Sequence, residues 1–313
     1  RGRGGPALRP FRTTGAMLLK AAPVALVLFF LFPRVEGSFW GAPSKERALS
    51  GLTEEMSPGD ISDLTLNDVV AFRVRFEGDP PPPPLRYWRG TVLSDFDGFT
   101  WRRDELPQFR PRLIPTGAPI DYTVTLEPTG QQMLFALEMV GRWSPGIASQ
   151  SWDLGLRTRK PVNAVMRYEA RSFPRYRAGE VLPLATRNAS LQLPPGRNPR
   201  TAALAARMRA EAGSDAAYVR AVLGMFREQD FYYTLTPPGL ARDSVDDFLF
   251  NTRQGFCGHF ASAFTTMMRA AGIPARVVAG YQGGDWNPLG GYLIVRQSHA
   301  HAWSEIWVEG EGW

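Results

Sequence analysis

The sequence has one cysteine, Cys257, and three histidines, His259, His299 and His301. A single thiol excludes an intramolecular disulfide and leaves an unpaired cysteine that needs a reason. Surplus charge is missing over most of the chain. From Val35 onward 30 basic residues face 30 acidic ones, so there is no basic face of the kind a nucleic-acid binder needs. Acid is absent from residues 1–34, where Arg1, Arg3, Arg9, Arg12, Lys20 and Arg34 stand uncompensated. No collagen-like or coiled-coil period appears.

The apolar run AMLLKAAPVALVLFFLF, Ala16–Phe32, has the least length that spans a bilayer, about 17 residues. Lys20 would snorkel from one end, and Phe39 and Trp40 would anchor the other. The arginine-rich flank predicts a cytoplasmic start and an exported remainder. A signal sequence or a buried core helix are the alternatives. Arg1 opens the sequence and Trp313 closes it inside an apolar pattern, so a fragment is expected.

The remainder divides into a β-rich region, 37–198, and a region of helical signals followed by strands, 199–313. Val70, Phe72, Val74 and Phe76 alternate with polar or small residues, as do Tyr122, Val124 and Leu126, which predicts half-buried strands. Asp97-Gly98 reads as a hairpin turn. Asn198-Pro199 starts a helix that Gly213 ends. Tyr218, Val219, Val222, Leu223 and Phe226 mark a second helix, and Phe231–Leu235 a short strand. Ser244 and Asp247 have the spacing of a capping box for a helix over Val245–Thr252.

The chemistry concentrates in GFCGHFASAFTTMMRAAGIP. Gly255 breaks the preceding helix, and Ala261, Phe264, Thr265, Met268 and Ala271 mark the next, which Gly272 and Pro274 close. Cys257 therefore opens a helix, where the free N–H groups and the dipole favour thiolate and lower its pKa. Strands over Ala275–Tyr281, Tyr292–Gln297 and His301–Val308 follow. His301, Trp303, Glu305 and Trp307 share one face of the last, giving a candidate general base beside tryptophan. His259 lies roughly 200° around the helix from Cys257 and points away from it. Zinc held by Cys257, His259, His299 and His301 is the competing reading. It suffers because Cys257 and His259 diverge on a regular helix and no fourth carboxylate is evident. The Cys257 N–H would hold an oxyanion, with Gln254 as a second donor.

FLFNTRQGFCGHFASAFTTMMRAAGIPARVVAGYQGG, followed by VRQSHAHAWSEIWVEGEGW, resembles the transglutaminase-like core superfamily. It is more closely similar to the bacterial membrane-anchored transglutaminases of the TgpA type. YWRGTVLSDFDGFTW, DYTVTLEPTGQ and FYYTLTPPGL are similar to that family's extracytoplasmic region. The resemblance covers about residues 15–313. It implies an α+β, papain-like core, a Cys-bearing helix on an antiparallel sheet, behind a β-rich domain and one transmembrane helix. It implies Cys257 and His301 as catalytic residues, further membrane helices before Arg1, and an Asp soon after Trp313. Gly258 stands where the family has Glu, and His299 where it has Asp. The implied activity is acyl transfer from protein glutamine to an amine or water through a Cys thioester, with no metal or cofactor. The partners are protein or peptide substrates, not nucleic acid. A cysteine protease or amidase acting on envelope peptides, or a non-catalytic binding module, are the alternatives.

Overall fold

The computed structural model describes residues 51–105 and 111–313, with Lys20 and Pro23. Apart from those two residues, the candidate span Ala16–Phe32 lies outside the described residues. Among the described residues no helix is long and apolar enough to cross a membrane. The chain divides into two compact units, 1–45 and 46–313, and the second carries everything below.

In chain order its site-forming elements are β1 (Val70–Phe76), β2 (Tyr87–Leu93), β3 (Ile120–Leu126), β4 (Ala136–Leu137), β5 (Val140–Trp143) and β6 (Met166–Ser172). Then come α1 (Pro199–Glu211), α2 (Asp215–Glu228), β7 (Tyr232–Tyr233), α3 (Ser244–Asp247), β8 (Gln254–Gly255) and α4 (Cys257–Ala270). The last are β9 (Ala275–Gln282), β10 (Asp285–Asn287), β11 (Tyr292–Arg296) and β12 (Ala300–Ile306).

Two sheets organise the unit. A six-stranded sheet runs β5-β6-β3-β1-β11-β10, and a four-stranded sheet runs β12-β9-β2-β4. Both draw strands from either side of residue 198: β1 pairs with β11 and β2 with β9, each antiparallel. The change of composition at 198/199 therefore coincides with no break in the sheets.

Alternation explains the large sheet. Phe72 and Val74 of β1 and Tyr122, Val124 and Leu126 of β3 are buried, while Arg73 turns outward to pair with Glu127. Phe72 stacks on Phe135 and meets Trp88 and Tyr281 of the other sheet edge-on, with ring centroids 5.3–5.5 Å apart. Full burial of one such side chain contributes about 1.5–3 kcal/mol. Two buried tyrosines find partners: Tyr168 donates its hydroxyl to the Phe135 carbonyl at 2.6 Å, and the Leu137 N–H donates to Tyr122 Oη at 2.7 Å.

Helix α4 packs on β12 and β9. Its end is a Schellman motif: Gly272 N–H donates to the Arg269 carbonyl and Ile273 N–H to Met268, at 3.0 and 2.9 Å, with Gly272 at φ +80°. Arg269 is buried there, donating to the carbonyls of Ala275, Ser94 and Gln192. The Asp97-Gly98 turn forms as expected, Asp97 Oδ1 accepting from the N–H groups of Phe99 and Thr100.

The capping box at Ser244 does not form. Asp243 holds the N-cap position of α3, while Ser244 Oγ donates to the Gly98 carbonyl. Asp247 accepts instead from Ala241 N–H and Asn251 Nδ2. The expected helix over Val245–Thr252 is split: α3 passes into a wider π turn over Phe248–Thr252. Tertiary partners outcompete the local cap at both residues.

Candidate active site

Parallel pairing of β7 with β8 sets Tyr233 opposite Gly255. The next residue, extended Phe256, holds the N-cap of α4, and Cys257 opens its first turn. Cys257 is 6% exposed and lies on the wall of a cleft of about 720 Å³. His301, second residue of β12, lines the same cleft. Strand β12 is the edge of its sheet, so the cleft they share lies at a strand edge and a helix N-terminus.

The two faces of β12 do different work. Ser304 faces α4: it accepts from Thr265 Oγ1 and donates to the Ala261 carbonyl, at 2.9 and 3.0 Å. His301, Trp303 and Glu305 occupy the opposite face. Trp303 lies nearly parallel to the imidazole with centroids 6.5 Å apart, and Tyr87 of β2 meets both rings. Glu305 is 10% exposed and held by Arg89 and Arg276, the latter at 2.7 Å. Burial alone would raise its pKa; the two guanidinium groups override that and hold it at about 2. Arg276 in turn lies 3.8 Å beneath the Trp313 ring. Glu305 thus anchors the strand and is engaged away from His301. Gly280 sits opposite His301 in the ladder; a Cβ there would fall 2.1 Å from the Trp88 carbonyl oxygen, so only glycine lets β9 pass β2 at this point.

The electrostatics differ from the sequence expectation. Burial pushes the Cys257 thiol up. The Ala302 N–H, the Tyr233 hydroxyl and the first N–H groups of α4 oppose it without offsetting it. The lowered thiol pKa expected from the helix N-terminus alone is therefore corrected: desolvation outweighs the helix end. Burial also lowers His301 to about 4. Both shifts favour the uncharged forms, thiol and imidazole.

The other candidates fall elsewhere. His259, 4% exposed, packs against Phe256 and Phe248 and lies outside the cleft, so it points away from the thiol as the helical angle requires. His299 is not on the last strand: it ends a 3₁₀ turn, Gln297–His299, and its Nδ1 accepts from Arg296 N–H at 3.1 Å. Asp285 of β10 stands 3.7 Å from His299 Nε2 and 3.4 Å from Arg296 Nε, and so belongs to His299. Among the described residues no group of His, Cys, Asp and Glu converges as metal ligands would. Gln254 is exposed in β8 and does not line the cleft.

Tyr233, and not Gln254, stands at the Cys257 backbone: its phenol oxygen accepts the Cys257 N–H at 3.3 Å, and its side chain lines the cleft. Sequence reasoning placed Tyr233 on a strand with no role. The signal lies in register, since a parallel bridge to the residue two before Cys257 brings the phenol to the thiol. Tyr87 was missed for the same reason, its strand pairing with β9 across most of the chain.

The TgpA N-terminal domain family matches residues 1–179, and the transglutaminase-like superfamily matches residues 202–313. A protein-glutamine gamma-glutamyltransferase of Pseudomonas aeruginosa is 43% identical over 307 residues, 96% of this chain and 45% of its own length. The Bacillus subtilis protein YebA, uncharacterized, is 35% identical over 130 residues, 39% of this chain and 18% of its own. The chain thus spans less than half the length of either curated relative. The crystal structure of the periplasmic domain of TgpA from Pseudomonas aeruginosa bound to ethylmercury is 43% identical with a TM-score of 0.81, covering 84% of this chain and 94% of that one. A second structure of that domain, 42% identical, gives the same TM-score over 84% and 92%.

Proposed function

The chain belongs to the TgpA family of transglutaminase-like proteins, and from that premise we propose that it transfers the acyl group of protein glutamine side chains through a thioester on Cys257. The observation that carries the reading is the opening of the one thiol, at a helix N-terminus, onto the same cleft as His301. In support, the Pseudomonas aeruginosa relative is named a protein-glutamine gamma-glutamyltransferase.

Cys257 Sγ attacks the carboxamide carbon while His301 takes the thiol proton, which fits a neutral imidazole at physiological pH. The carbonyl oxygen becomes an oxyanion and displaces the Tyr233 phenol from the Cys257 N–H. It then receives hydrogen bonds from that N–H and from the phenol. The C–N bond breaks, and His301 delivers its proton to the departing ammonia. An amine attacks the thioester, His301 removes the amine proton, and the sulfur leaves and is reprotonated. Water in place of the amine gives glutamate. The family's Asp after Trp313 would orient His301. The catalytic unit lies outside the cytoplasmic membrane, anchored by Ala16–Phe32. The arginine flank supports this placement, as does a relative whose solved portion is titled a periplasmic domain.

The test is thioester trapping on the full chain with a glutamine peptide, followed by ammonia release with and without a primary amine. An acyl-enzyme that forms with wild type and not with Cys257→Ala supports the reading. No adduct under any acceptor removes it. Peptide-bond cleavage in place of ammonia release would make the protein a protease.

A further inference from the structure

The cleft in front of Cys257 extends well past the thiol. Its lining includes α4 from Cys257 to Phe264, β12 from His301 to Ile306, and Leu223, Phe226 and Arg227 of α2. At about 1.5 Å per helical residue and about 3.3 Å per strand residue, the α4 and β12 stretches run about 10 and about 16 Å. That is room for several residues of an extended chain, whereas a carboxamide needs only its last atoms at the sulfur.

Two properties of this space describe what fits it. First, among the described residues β12 is an unpaired sheet edge. Just past its end the Trp307 N–H turns inward to the Pro274 carbonyl, so alternation turns the N–H groups of Ala302, Ser304 and Ile306 outward. Such an edge accepts an added strand. Second, the walls are apolar, with Phe226, Phe260, Phe264 and Ile306 among them, and Arg227 is the one arginine, lysine or carboxylate that lines them. Arg227 lies exposed in the last turn of α2. Its Nε donates to the Leu223 carbonyl at 3.3 Å, and no carboxylate pairs with it among the described residues. By contrast Arg209, at the end of α1, is paired with Asp215. An apolar cleft with one unpaired guanidinium on its wall suits an apolar segment with a carboxylate.

We infer that the acyl donor binds as an extended peptide along the free edge of β12, with an apolar residue beside the reactive glutamine and a carboxylate held by Arg227. This rests on Cys257 being the acyl-accepting thiol. The carboxylate comes from an Asp or Glu side chain or from a peptide C-terminus, and the arms of the test separate the two.

The test uses labelled peptides with a single glutamine next to leucine. Glu, Ser or Lys is placed at successive positions on either side, all C-terminally amidated. A Ser set ending in a free carboxylate at each distance completes the series. Binding is measured by anisotropy on the full chain carrying Cys257→Ala, and turnover on wild type with a fluorescent amine. At one position the Glu peptide, the free-carboxylate peptide or both should bind about three- to tenfold more tightly than Ser-amide, and Lys more weakly. Arg227→Gln should level Glu and Ser, and Arg227→Glu should invert the order of Glu and Lys. A purely structural arginine would not give that inversion. Equal affinities at every position, or an order unchanged by Arg227→Glu, would overturn the inference. Turnover without charge preference leaves the thioester reading standing and removes this one. Charge-ordered binding without turnover does the reverse.

Discussion

The phenol oxygen of Tyr233 sits 3.3 Å from the backbone nitrogen of Cys257 and accepts its hydrogen. The N–H that an oxyanion would use is therefore already engaged before substrate arrives. Tyr233→Phe keeps the ring and removes the hydroxyl. Loss of one oxyanion donor costs about 10²–10³ in kcat, so kcat should fall by about that factor with KM little changed. A faster enzyme would instead mean that the phenol only blocks the site.

A neutral thiol and a neutral imidazole make a distinct prediction about pH. Burial raises the Cys257 thiol and lowers His301 to about 4. The alkylation rate of Cys257 by iodoacetamide follows the thiolate fraction, so it should keep climbing through the alkaline range. The acid limb of kcat/KM, set by protonation of His301, should fall near 4 and not near the ordinary imidazole value. An alkylation plateau between about pH 5 and 7 would reveal a thiolate–imidazolium pair and defeat this account.

Glu305 bridges Arg89 and Arg276 beneath the strand that carries His301. Removing one member of a buried ionic group leaves the others without compensation, at a cost of about 3–5 kcal/mol. Glu305→Ala should lose about that much stability in urea titration, and Glu305→Gln, which keeps hydrogen-bonding capacity, should lose less. A change below about 1 kcal/mol in Glu305→Ala would show that the bridge does not secure β12.

Acid should destabilise the fold through His259. Burial lowers its pKa to about 4, and its Nδ1 has no partner among the described residues. The unfolded chain takes up the proton at the higher, ordinary value, so the stability is full above about pH 6.5. It is lost as pH falls through the folded value of about 4, by about 3 kcal/mol at most. His259→Gln should flatten the melting temperature over that window. An unchanged slope would assign the acid sensitivity to other groups.

Much of this was legible in advance, and the limit is physical. Val70–Phe76 was readable because period-two alternation is a local property. The start of α4 at Cys257 was readable because Gly255 and Gly272 punctuate the chain. Tyr233 and Tyr87 were not, because each reaches the site through a strand partner remote in sequence, and register between distant strands leaves no mark on either one. The thiol pKa went astray for a related reason. A helix N-terminus is visible in sequence, but the burial that outweighs it is built by residues from several elements. The split helix at Ser244 shows the same competition, a local cap losing to the Gly98 carbonyl.

The threading of early strands between late ones has a consequence for how the protein comes into being. Leu93 of β2 pairs with Val277 of β9, and Val74 of β1 with Leu293 of β11. A nascent chain emerging N-terminus first must hold β1 and β2 with unpaired edges until the distant strands are synthesised. Pairings of such long sequence separation are slow to close, and exposed edges invite association with other chains in the meantime. Cys257 is made before β12, so the thiol exists for a time with no His301, no Trp303 wall and no cleft. Acyl transfer is thereby withheld until folding is nearly complete, although the exposed thiol of the unfolded chain is the more open to alkylation.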